Sequence, residues 1–215
     1  MAPDLLIDEL PDSSPELRAL ARCGSPRDYA RGRLLVEEGE SSDTLFIILA
    51  GRLRAFSVAD SGREITYGSY GPGEYVGEMS LDGGPRAANV EALERCICSV
   101  VPRHDLEKFI ADNPAFAFEL MAKLIRRARA ATLSARQMAL NDVYGRLRWL
   151  LESRAEPDVQ GGRRVVARLT HLEMAQHIGS SREMVSRLMK DLERGGFVVI
   201  EKDGIHLPAP LPARW

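Results

Sequence analysis

Several features that mark extracellular or metal-binding proteins are missing from this sequence of 215 residues. It has only three cysteines, Cys23, Cys96 and Cys98, which form no CxxC pair and are too few for a disulfide scaffold. The four histidines show no metal-ligand spacing with the cysteines or with one another. We therefore expect neither a disulfide-rich fold nor a bound metal.

A long apolar run and a basic leader are also lacking. The longest apolar run, Leu45–Ala50, is far shorter than the ~20 residues that a membrane-spanning helix needs. The first ten residues carry acids where a signal peptide has cations. No set of a nucleophile, a base and an orienting group is evident. We expect a cytoplasmic protein that has no membrane partner and is not an enzyme.

The formal net charge of −2 indicates no partner by itself, but the charges are distributed unevenly. Acids gather near the N-terminus, at Asp4, Asp8, Glu9, Asp12 and Glu16. Cations gather in the second half, at Arg126, Arg127, Arg129, Arg136, Arg163, Arg164, Arg168, Arg182, Arg187, Lys190 and Arg194. Because a nucleic-acid contact needs only local positive charge, the second half is a candidate for one.

Between residues 33 and 102 the sequence predicts short strands separated by turns. The segments rich in branched and aromatic residues are Leu34–Val36, Thr44–Ile48, Leu53–Val58, Glu64–Tyr70 and Cys96–Val101. Glycine and proline interrupt them at nearly regular intervals. This spacing indicates a small antiparallel β-barrel or jelly roll, with Cys96 and Cys98 on one face of a strand as core or edge residues.

A long helix is predicted after the strands. A short helix is expected over 105–109, and Asp112-Asn113-Pro114 then caps and starts a helix without glycine or proline over 115–139. Its apolar residues recur in a heptad, at Met121, Ala128 and Ala135 in one core position and at Leu124, Ala131 and Met138 in the other. The heptad favours a homodimer in which two copies of this helix pack together; a helix lying on its own barrel is the alternative.

The heptad is interrupted at 140–142, and a second domain is expected after it. Asp142 caps a helix through Leu151, and a loop at 157–162 precedes a predicted strand, Val165–Leu169. We predict an α+β chain with a β-barrel sensor domain over 1–113, a dimerisation helix and hinge over 114–141, and a second domain over 142–215.

The segment from Thr170 to Phe197 carries the most specific pattern. Thr170 and Glu173 form a capping box, Gly179 supplies a left-handed turn, and Ser181 caps a second helix. The predicted buried faces are Leu172, Ala175 and Ile178 on the first helix and Val185, Leu188, Met189 and Leu192 on the second. This geometry is typical of a helix-turn-helix.

A hairpin follows, with strands Phe197–Glu201 and Ile205–Leu207 joined through an Asp-Gly turn, which makes the unit a winged helix-turn-helix. With the buried face of the second helix assigned, Arg182, Glu183, Ser186, Arg187 and Lys190 face outward. Arginine can bind guanine O6 and N7 together, and glutamate can accept a hydrogen bond from cytosine N4. These residues indicate binding to double-stranded DNA; a solvated charged face is the alternative.

The segment LTHLEMAQHIGSSREMVSRLMKDLERGGFV, together with DVYGRL at 142–147, resembles the cyclic AMP receptor protein family of bacterial transcription regulators, the Crp/Fnr superfamily. The resemblance implies that Arg182, Glu183 and Arg187 read bases and that Thr170 and Ser181 contact phosphate. It also implies a half-site similar to TGTGA, two half-sites roughly 34 Å apart, and RNA polymerase as a partner.

A second informative segment, GEYVGEMSLDGGPRAANV at 73–90, lies in the predicted barrel. The bend at Gly77 can converge backbone N–H groups on an anion, Glu78 can accept from a ribose hydroxyl, and Arg86 can hold a phosphate. The segment resembles the phosphate-binding cassette of cyclic-nucleotide-binding domains. The resemblance implies an effector such as cAMP bound by Gly77, Glu78, Met79, Ser80, Arg86 and Ala87, with Arg127 and Thr132 from the long helix.

Three departures from the family pattern leave the effector's base open. The stretch from Gly77 to Arg86 is one or two residues shorter, Ala87 replaces a hydroxyl residue of bacterial relatives, and Ala131-Thr132 keeps one of two adenine-reading hydroxyls. A barrel in which Glu78 and Arg86 merely pair is an alternative. So are a regulator that needs no effector and a cyclic-nucleotide-binding subunit that acts through protein contacts.

Overall fold

The computed structural model of the chain describes residues 3–158, 161–166 and 169–215. Its helices are α1 (Pro3–Asp8), α2 (Pro15–Cys23), α3 (Arg103–Asp112), α4 (Pro114–Leu140), α5 (Val143–Arg154), α6 (His171–Ile178) and α7 (Arg182–Arg194). Its strands are β1 (Ser25–Tyr29), β2 (Leu34–Val36), β3 (Leu45–Ala50), β4 (Leu53–Val58), β5 (Glu64–Tyr70), β6 (Tyr75–Val76), β7 (Asn89–Ala92), β8 (Cys96–Val101), β9 (Ala155–Pro157), β10 (Arg163–Val165), β11 (Val199–Ile200) and β12 (Ile205–Leu207).

The chain divides into two compact units. The first contains the chain up to Ser57 and Thr66–Ala128, and the second contains Val58–Ile65 and Arg129–Trp215. Helix α4 contributes residues to both units. The three-part division predicted from the sequence, with boundaries at 113/114 and 141/142, stays a prediction.

The first unit is a jelly-roll-like pair of antiparallel sheets, as predicted, and not a closed barrel. The strand orders are β1-β8-β3-β6 and β2-β7-β4-β5. One core cluster contains side chains from both sheets, among them Phe46, Ile48, Leu53, Val90 and Cys98. Since alternate residues of a strand point to opposite faces, Leu45, Ile47 and Leu49 of β3 point to the other side of their sheet.

That other side of the sheet is covered by helices. Leu45, Ile47 and Leu49 share a second core cluster with α1, α2, α3 and the first turns of α4. Helices α1 and α2 and the strands β1, β6 and β7 are not predicted by the sequence pattern. For α2 a local signal exists, because Ser14 caps it by accepting a hydrogen bond from the Leu17 backbone N–H at 3.0 Å.

Helix α4 has 27 residues and matches the predicted span closely. Phe116, Leu120 and Leu124 pack against the helices and strands of the first unit. Large apolar side chains elsewhere on α4 are exposed in the single chain: Phe118, Met121, Ile125, Leu133 and Leu140. Leu124 therefore packs within its own unit, as in the alternative interpretation, while Met121 is exposed.

The second unit contains α5, α6, α7 and a four-stranded antiparallel sheet of order β11-β12-β10-β9. One core cluster joins the helices to the sheet, and it includes Leu147, Leu151, Met189 and Leu192. The C-terminal segment packs on this core through Leu211, which is buried. The ring of Trp215 lies against those of Tyr144 and Phe197.

Two local predictions for the second unit are wrong. The strand expected at Val165–Leu169 is instead β10, Arg163–Val165, because its register is set by pairing with β9 and β12; residues 167 and 168 lie outside the described part of the chain. Leu172 is 51% exposed, and Met174 is buried on α6 in its place. Met174 lies one residue before Ala175 and just over one turn before Ile178, so a slightly rotated apolar stripe accommodates all three.

Among the described residues, none of the helices combines the length and the apolar character needed to cross a lipid bilayer.

Candidate functional site

The bend that begins the predicted cassette depends on Gly77. Its φ of 94° is left-handed, a conformation that favours glycine. A Cβ at this position would lie 2.5 Å from the Thr44 carbonyl oxygen and 2.8 Å from Nη1 of Arg86. The bend is followed by a single 3₁₀ turn, Glu78–Ser80, in which Glu78 and Ser80 are buried. Gly77 thus lets the backbone approach the side chain of Arg86 closely.

Arg86 is buried, with 4% of its surface exposed, and it is held by four hydrogen bonds. Nη1 donates to the Gly77 carbonyl and to the Ser80 hydroxyl, each at 2.8 Å. Nη2 donates to the Ser42 hydroxyl at 2.9 Å and to the Thr44 carbonyl at 2.8 Å. Burial lowers the pKa of Arg86, while nearby Asp43 and Glu78 oppose that effect. The guanidinium is therefore a fixed cation, and a phosphate can bind one of its Nη atoms only by displacing one of these partners.

Glu78 does not pair with Arg86. Its buried carboxylate forms an ion pair with Nη1 of Arg127, which comes from α4. Nη2 of Arg127 donates to the Tyr75 carbonyl at 2.6 Å, and the guanidinium lies 4.6 Å from the ring centre of Tyr70. Burial disfavours the charge of Arg127, but the adjoining Glu78 carboxylate, together with Tyr70 and Tyr75, outweighs burial and raises the pKa of Arg127. The simple Glu78–Arg86 pair considered from the sequence is not formed.

These side chains surround a small cavity of about 60 Å³. Seven of the eight predicted ligand-site residues line it: Gly77, Glu78, Met79, Ser80, Arg86, Ala87 and Arg127. The eighth, Thr132, is exposed on α4 in the second unit. Ligand pockets commonly measure about 300–1,000 Å³, so a nucleotide requires lining side chains to move. Met79, a lining side chain that is 63% exposed, has room to do so.

Four residues of this site were not predicted from the sequence: Ser42, Thr44, Tyr70 and Tyr75. Ser42 and Thr44 lie more than 40 positions before Arg86 in the chain, so no local pattern connects them to it. From the sequence, Tyr70 is placed only in a predicted strand, and Tyr75 only in the segment 73–90. In the folded chain, their rings pack around the Arg127 guanidinium.

The two helices of the second unit that were predicted to contact DNA have the expected caps. The Thr170 hydroxyl accepts from the Glu173 backbone N–H at 3.2 Å, and the Glu173 carboxylate accepts from the Thr170 N–H at 2.7 Å. Gly179 has a left-handed φ of 60° at the end of α6. Ser181 accepts from the Met184 N–H at 3.2 Å at the start of α7. The capping box, the turn and the second cap are therefore confirmed.

The charged face of α7 lies at the surface. Val185, Leu188, Met189 and Leu192 are buried, as predicted. The side chains predicted to contact DNA are on the other side of the helix, where Arg182, Glu183, Arg187 and Lys190 are exposed and Ser186 is partly exposed. Hydrogen bonds from its own backbone N–H and from Ser181 lower the pKa of Glu183. Glu183 is thus ionised at neutral pH and acts as a hydrogen-bond acceptor.

The cations of the neighbouring sheet, in contrast, are engaged within the protein. Arg164 pairs with Glu201, with Asp203 at 2.7 Å and with Asp158 at 3.8 Å. Nη2 of Arg163 donates to the backbone carbonyls of Glu152 and Ala155. Positive charge offered to a DNA phosphate therefore comes from α7 more than from this sheet.

Comparisons with known proteins match both parts of the chain. A family model for the cyclic nucleotide-binding domain matches residues 26–113, and one for a Crp-like helix-turn-helix domain matches residues 146–210. A CRP-like cAMP-activated global transcriptional regulator of Mycobacterium tuberculosis is 32% identical over 189 residues, which cover 86% of this chain and 84% of that protein. A cyclic AMP receptor protein of Thermus thermophilus is 32% identical over 173 residues, 80% of this chain and 78% of that protein.

Solved structures show the same architecture. The c-di-GMP responsive global regulator CLP of Xanthomonas campestris superimposes with a TM-score of 0.78 over 90% of this chain and 98% of that one, at 22% identity. This likeness shows the fold alone. Because the M. tuberculosis relative is similar over most of both chains, the family follows from the sequence: this chain belongs to the Crp/Fnr family of DNA-binding transcription regulators with a cyclic nucleotide-binding domain.

Proposed function

We propose that this protein is a cytoplasmic, homodimeric transcription regulator, and not an enzyme, whose DNA binding is controlled by a cyclic nucleotide such as cAMP. The observation that carries the effector proposal is the meeting of Glu78, Arg86 and Arg127 around one cavity in a domain of the cyclic nucleotide-binding family. Relatives named as cAMP-activated support cAMP as the first effector to test.

The contacts suggest how an effector would change the protein. A phosphate would take over Arg86 donors now held by Ser42 and Ser80. A ribose hydroxyl donating to Glu78 would compete with Arg127, which lies on α4. Helix α4 also carries the exposed stripe of Met121 and Ile125, through which two copies of the chain would pack together. Because Arg127 lies on the same helix, an effector that favours one position of Arg127 would favour one arrangement of the dimer.

DNA would be read by α7 from each subunit. Arg182, Glu183 and Arg187 are exposed in its first two turns, the part of such a helix that enters the major groove. We propose half-sites similar to TGTGA, spaced roughly 34 Å apart so that two symmetric copies of α7 reach successive grooves. RNA polymerase is the proposed further partner.

Calorimetric titration with cAMP, cGMP and c-di-GMP tests the effector assignment. Wild type should bind cAMP, and both Arg86→Ala and Arg86→Lys should weaken binding at least tenfold, because a lysine has no planar fork for phosphate. Arg52→Ala, which removes an exposed arginine of the same unit, is the matched control and should bind as wild type does. Equal affinity of wild type and both Arg86 variants would overturn the phosphate role.

A regulator that needs no effector is the second candidate, and one observation favours it. All four Nη hydrogen bonds of Arg86 are made within the protein, and the cavity holds only about 60 Å³. Selection of bound sequences from random duplexes, with and without cAMP, separates the two. Recovery of the same sites at the same affinity in both conditions would favour the effector-independent regulator.

A further inference from the structure

A hydrogen bond connects the first turn of α6 to the exposed face of α7. Nδ1 of His171 and the Ser186 hydroxyl lie 2.9 Å apart, and both side chains are partly exposed. Ser186 is one turn after Arg182 and adjacent to Arg187. The imidazole of His171 therefore lies at the edge of the face that carries the proposed base-reading residues.

The partner of Nδ1 determines what the other ring nitrogen can do. A neutral imidazole has one N–H, and the hydrogen bond made by one nitrogen selects which nitrogen carries it. If Ser186 donates to Nδ1, the proton is on Nε2, which is then a donor. Within residues 3–158, 161–166 and 169–215, the bond to Ser186 is the one hydrogen bond found for this ring.

We propose that His171 donates Nε2–H to a DNA backbone phosphate and that Ser186 is a positioning residue acting through His171. This proposal rests on the proposed reading of the major groove by α7. When that helix lies in the groove, groups at the edge of its exposed face come close to the phosphates that line the groove. A phosphate oxygen carries negative charge, so a neutral N–H that donates to it forms a strong, charge-assisted hydrogen bond.

The proposal gives Ser186 a role different from that of Arg182 or Arg187. Its hydroxyl is engaged with the ring and partly buried, so it supports a phosphate contact and does not read a base. His171 should therefore contribute to affinity on every DNA sequence, whereas the two arginines contribute to the choice of sequence.

The direct test is a methylphosphonate scan on the tightest duplex recovered from the random-sequence selection. Each phosphate near a half-site is replaced in turn by an uncharged methylphosphonate, and the Kd is measured for wild type and His171→Ala. For wild type, one replacement in each half-site should weaken binding roughly tenfold through the loss of the His171 bond. For His171→Ala, that same replacement should have little further effect, and Leu172→Ala, an exposed neighbour on α6, should behave as wild type.

Three further measurements distinguish positioning from general loss of structure. Ser186→Ala should weaken binding severalfold in wild type and hardly at all in His171→Ala. His171→Gln, which keeps a donor, should recover part of the lost affinity. In ¹⁵N spectra, the wild-type ring should show the proton on Nε2, and Ser186→Ala should shift that tautomer balance.

The outcomes separate this proposal from the one it rests on. Absence of wild-type binding to any duplex would overturn the DNA-reading proposal and this one together. Wild-type binding with identical methylphosphonate profiles for wild type and His171→Ala would overturn the His171 assignment alone. A ring proton found on Nδ1 would also overturn it, because Nε2 would then be an acceptor.

Discussion

At the scale of single residues, the ring of His177 links the stability of the second unit to pH. Burial, together with the positive charge of Arg154, lowers the pKa of His177 to about 4, and Glu173 partly opposes this. Nη2 of Arg154 lies 3.1 Å from Nε2, so the neutral ring accepts a hydrogen bond from it. In the unfolded chain a histidine titrates near 6.5, and there the ring binds a proton more readily.

The sign of the resulting prediction follows from that difference. Between about pH 6.5 and pH 4 the unfolded state holds more protons than the folded state, so stability falls as the pH falls. Because the His177 ring is partly exposed, we expect the free energy of unfolding to fall by about 1–2 kcal/mol between pH 7 and pH 5. Urea unfolding followed by tryptophan fluorescence measures it, since Trp149 and Trp215 both lie in the second unit. In His177→Gln, the amide oxygen can still accept a hydrogen bond from Arg154, but the side chain does not titrate, so the loss of stability at pH 5 should be smaller. If the loss of stability is the same as in wild type, other groups cause it.

Arg187 and Lys190 provide a matched pair for the chemistry of DNA reading. If Arg187 binds a guanine edge, Arg187→Ala costs about 1–3 kcal/mol of binding free energy and relaxes selectivity at one base pair. If Lys190 contacts a phosphate, Lys190→Ala weakens binding uniformly and lowers the salt slope by about 1. Fluorescence anisotropy titrations on single-base variants of the selected duplex distinguish a base contact from a phosphate contact. Uniform weakening by Arg187→Ala would reassign that residue to a phosphate.

At the scale of secondary-structure elements, Gly179 determines how α6 ends. Its φ of 60° is left-handed, and alanine in that conformation costs roughly 1–2 kcal/mol. Gly179→Ala should lower the free energy of unfolding of the second unit by that amount, while Gly179→Asn should cost less because asparagine tolerates this conformation. The added Cβ would lie 3.3 Å from the flexible end of Met138, which can move. Equal stability of the alanine variant and wild type would show that α6 can end in another way.

Helix α4 allows a similar test of the dimer. Ile125 is 52% exposed on the stripe proposed to face the second copy, whereas Ala130 lies on nearly the opposite side at about 100° per residue. Ile125→Glu should weaken the dimer because it places a carboxylate in an apolar contact, and Ala130→Glu should not. Sedimentation velocity at several protein concentrations measures the dimerisation of both variants. Full dimerisation of Ile125→Glu would exclude this stripe as the dimer contact.

The elements that could be predicted from the sequence are those with local causes. The capping box at Thr170, the turn at Gly179 and the buried stripe of α7 depend on residues within one or two turns of each other. Strand β1, with the sequence SPRDY, is mostly exposed and has no apolar pattern. It is stabilised as a strand by pairing with β8, which lies about 70 residues later in the chain. The register of β10 and the choice of Met174 over Leu172 also depend on partners distant in the chain.

The candidate effector site shows the same division between local and distant causes. Gly77, Glu78 and Arg86 lie within ten residues, and their chemistry could be recognised in the sequence. The ion pair of Glu78 with Arg127 and the bonds of Arg86 to Ser42 and Thr44 arise only when distant segments meet in the folded chain. The chemical groups can therefore be identified from the sequence, and the structure shows the partners that the proposed effector would displace.

At the scale of the whole molecule, the proposed function requires coupling between the cassette and α7. If cAMP raises the affinity of the dimer for DNA by some factor, DNA must raise the affinity for cAMP by the same factor, because both binding orders close one thermodynamic cycle. Such factors commonly lie at about 5–150. We expect calorimetric titration of cAMP into the free dimer and into its complex with the selected duplex to give two Kd values whose ratio equals the cAMP-dependent ratio of DNA affinities.

The same cycle measured on variants locates the coupling within the chain. Arg127→Lys keeps a cation near Glu78 but loses the fork that also donates to the Tyr75 carbonyl. Because Arg127 lies on α4 and Arg86 does not, Arg127→Lys should reduce the coupling factor more than the affinity for cAMP. Arg86→Lys should chiefly reduce the affinity for cAMP itself. If the coupling factor is unchanged in Arg127→Lys, the Glu78–Arg127 ion pair does not couple cAMP binding to DNA binding. If the coupling factor is about 1 in wild type, the regulator that needs no effector is favoured.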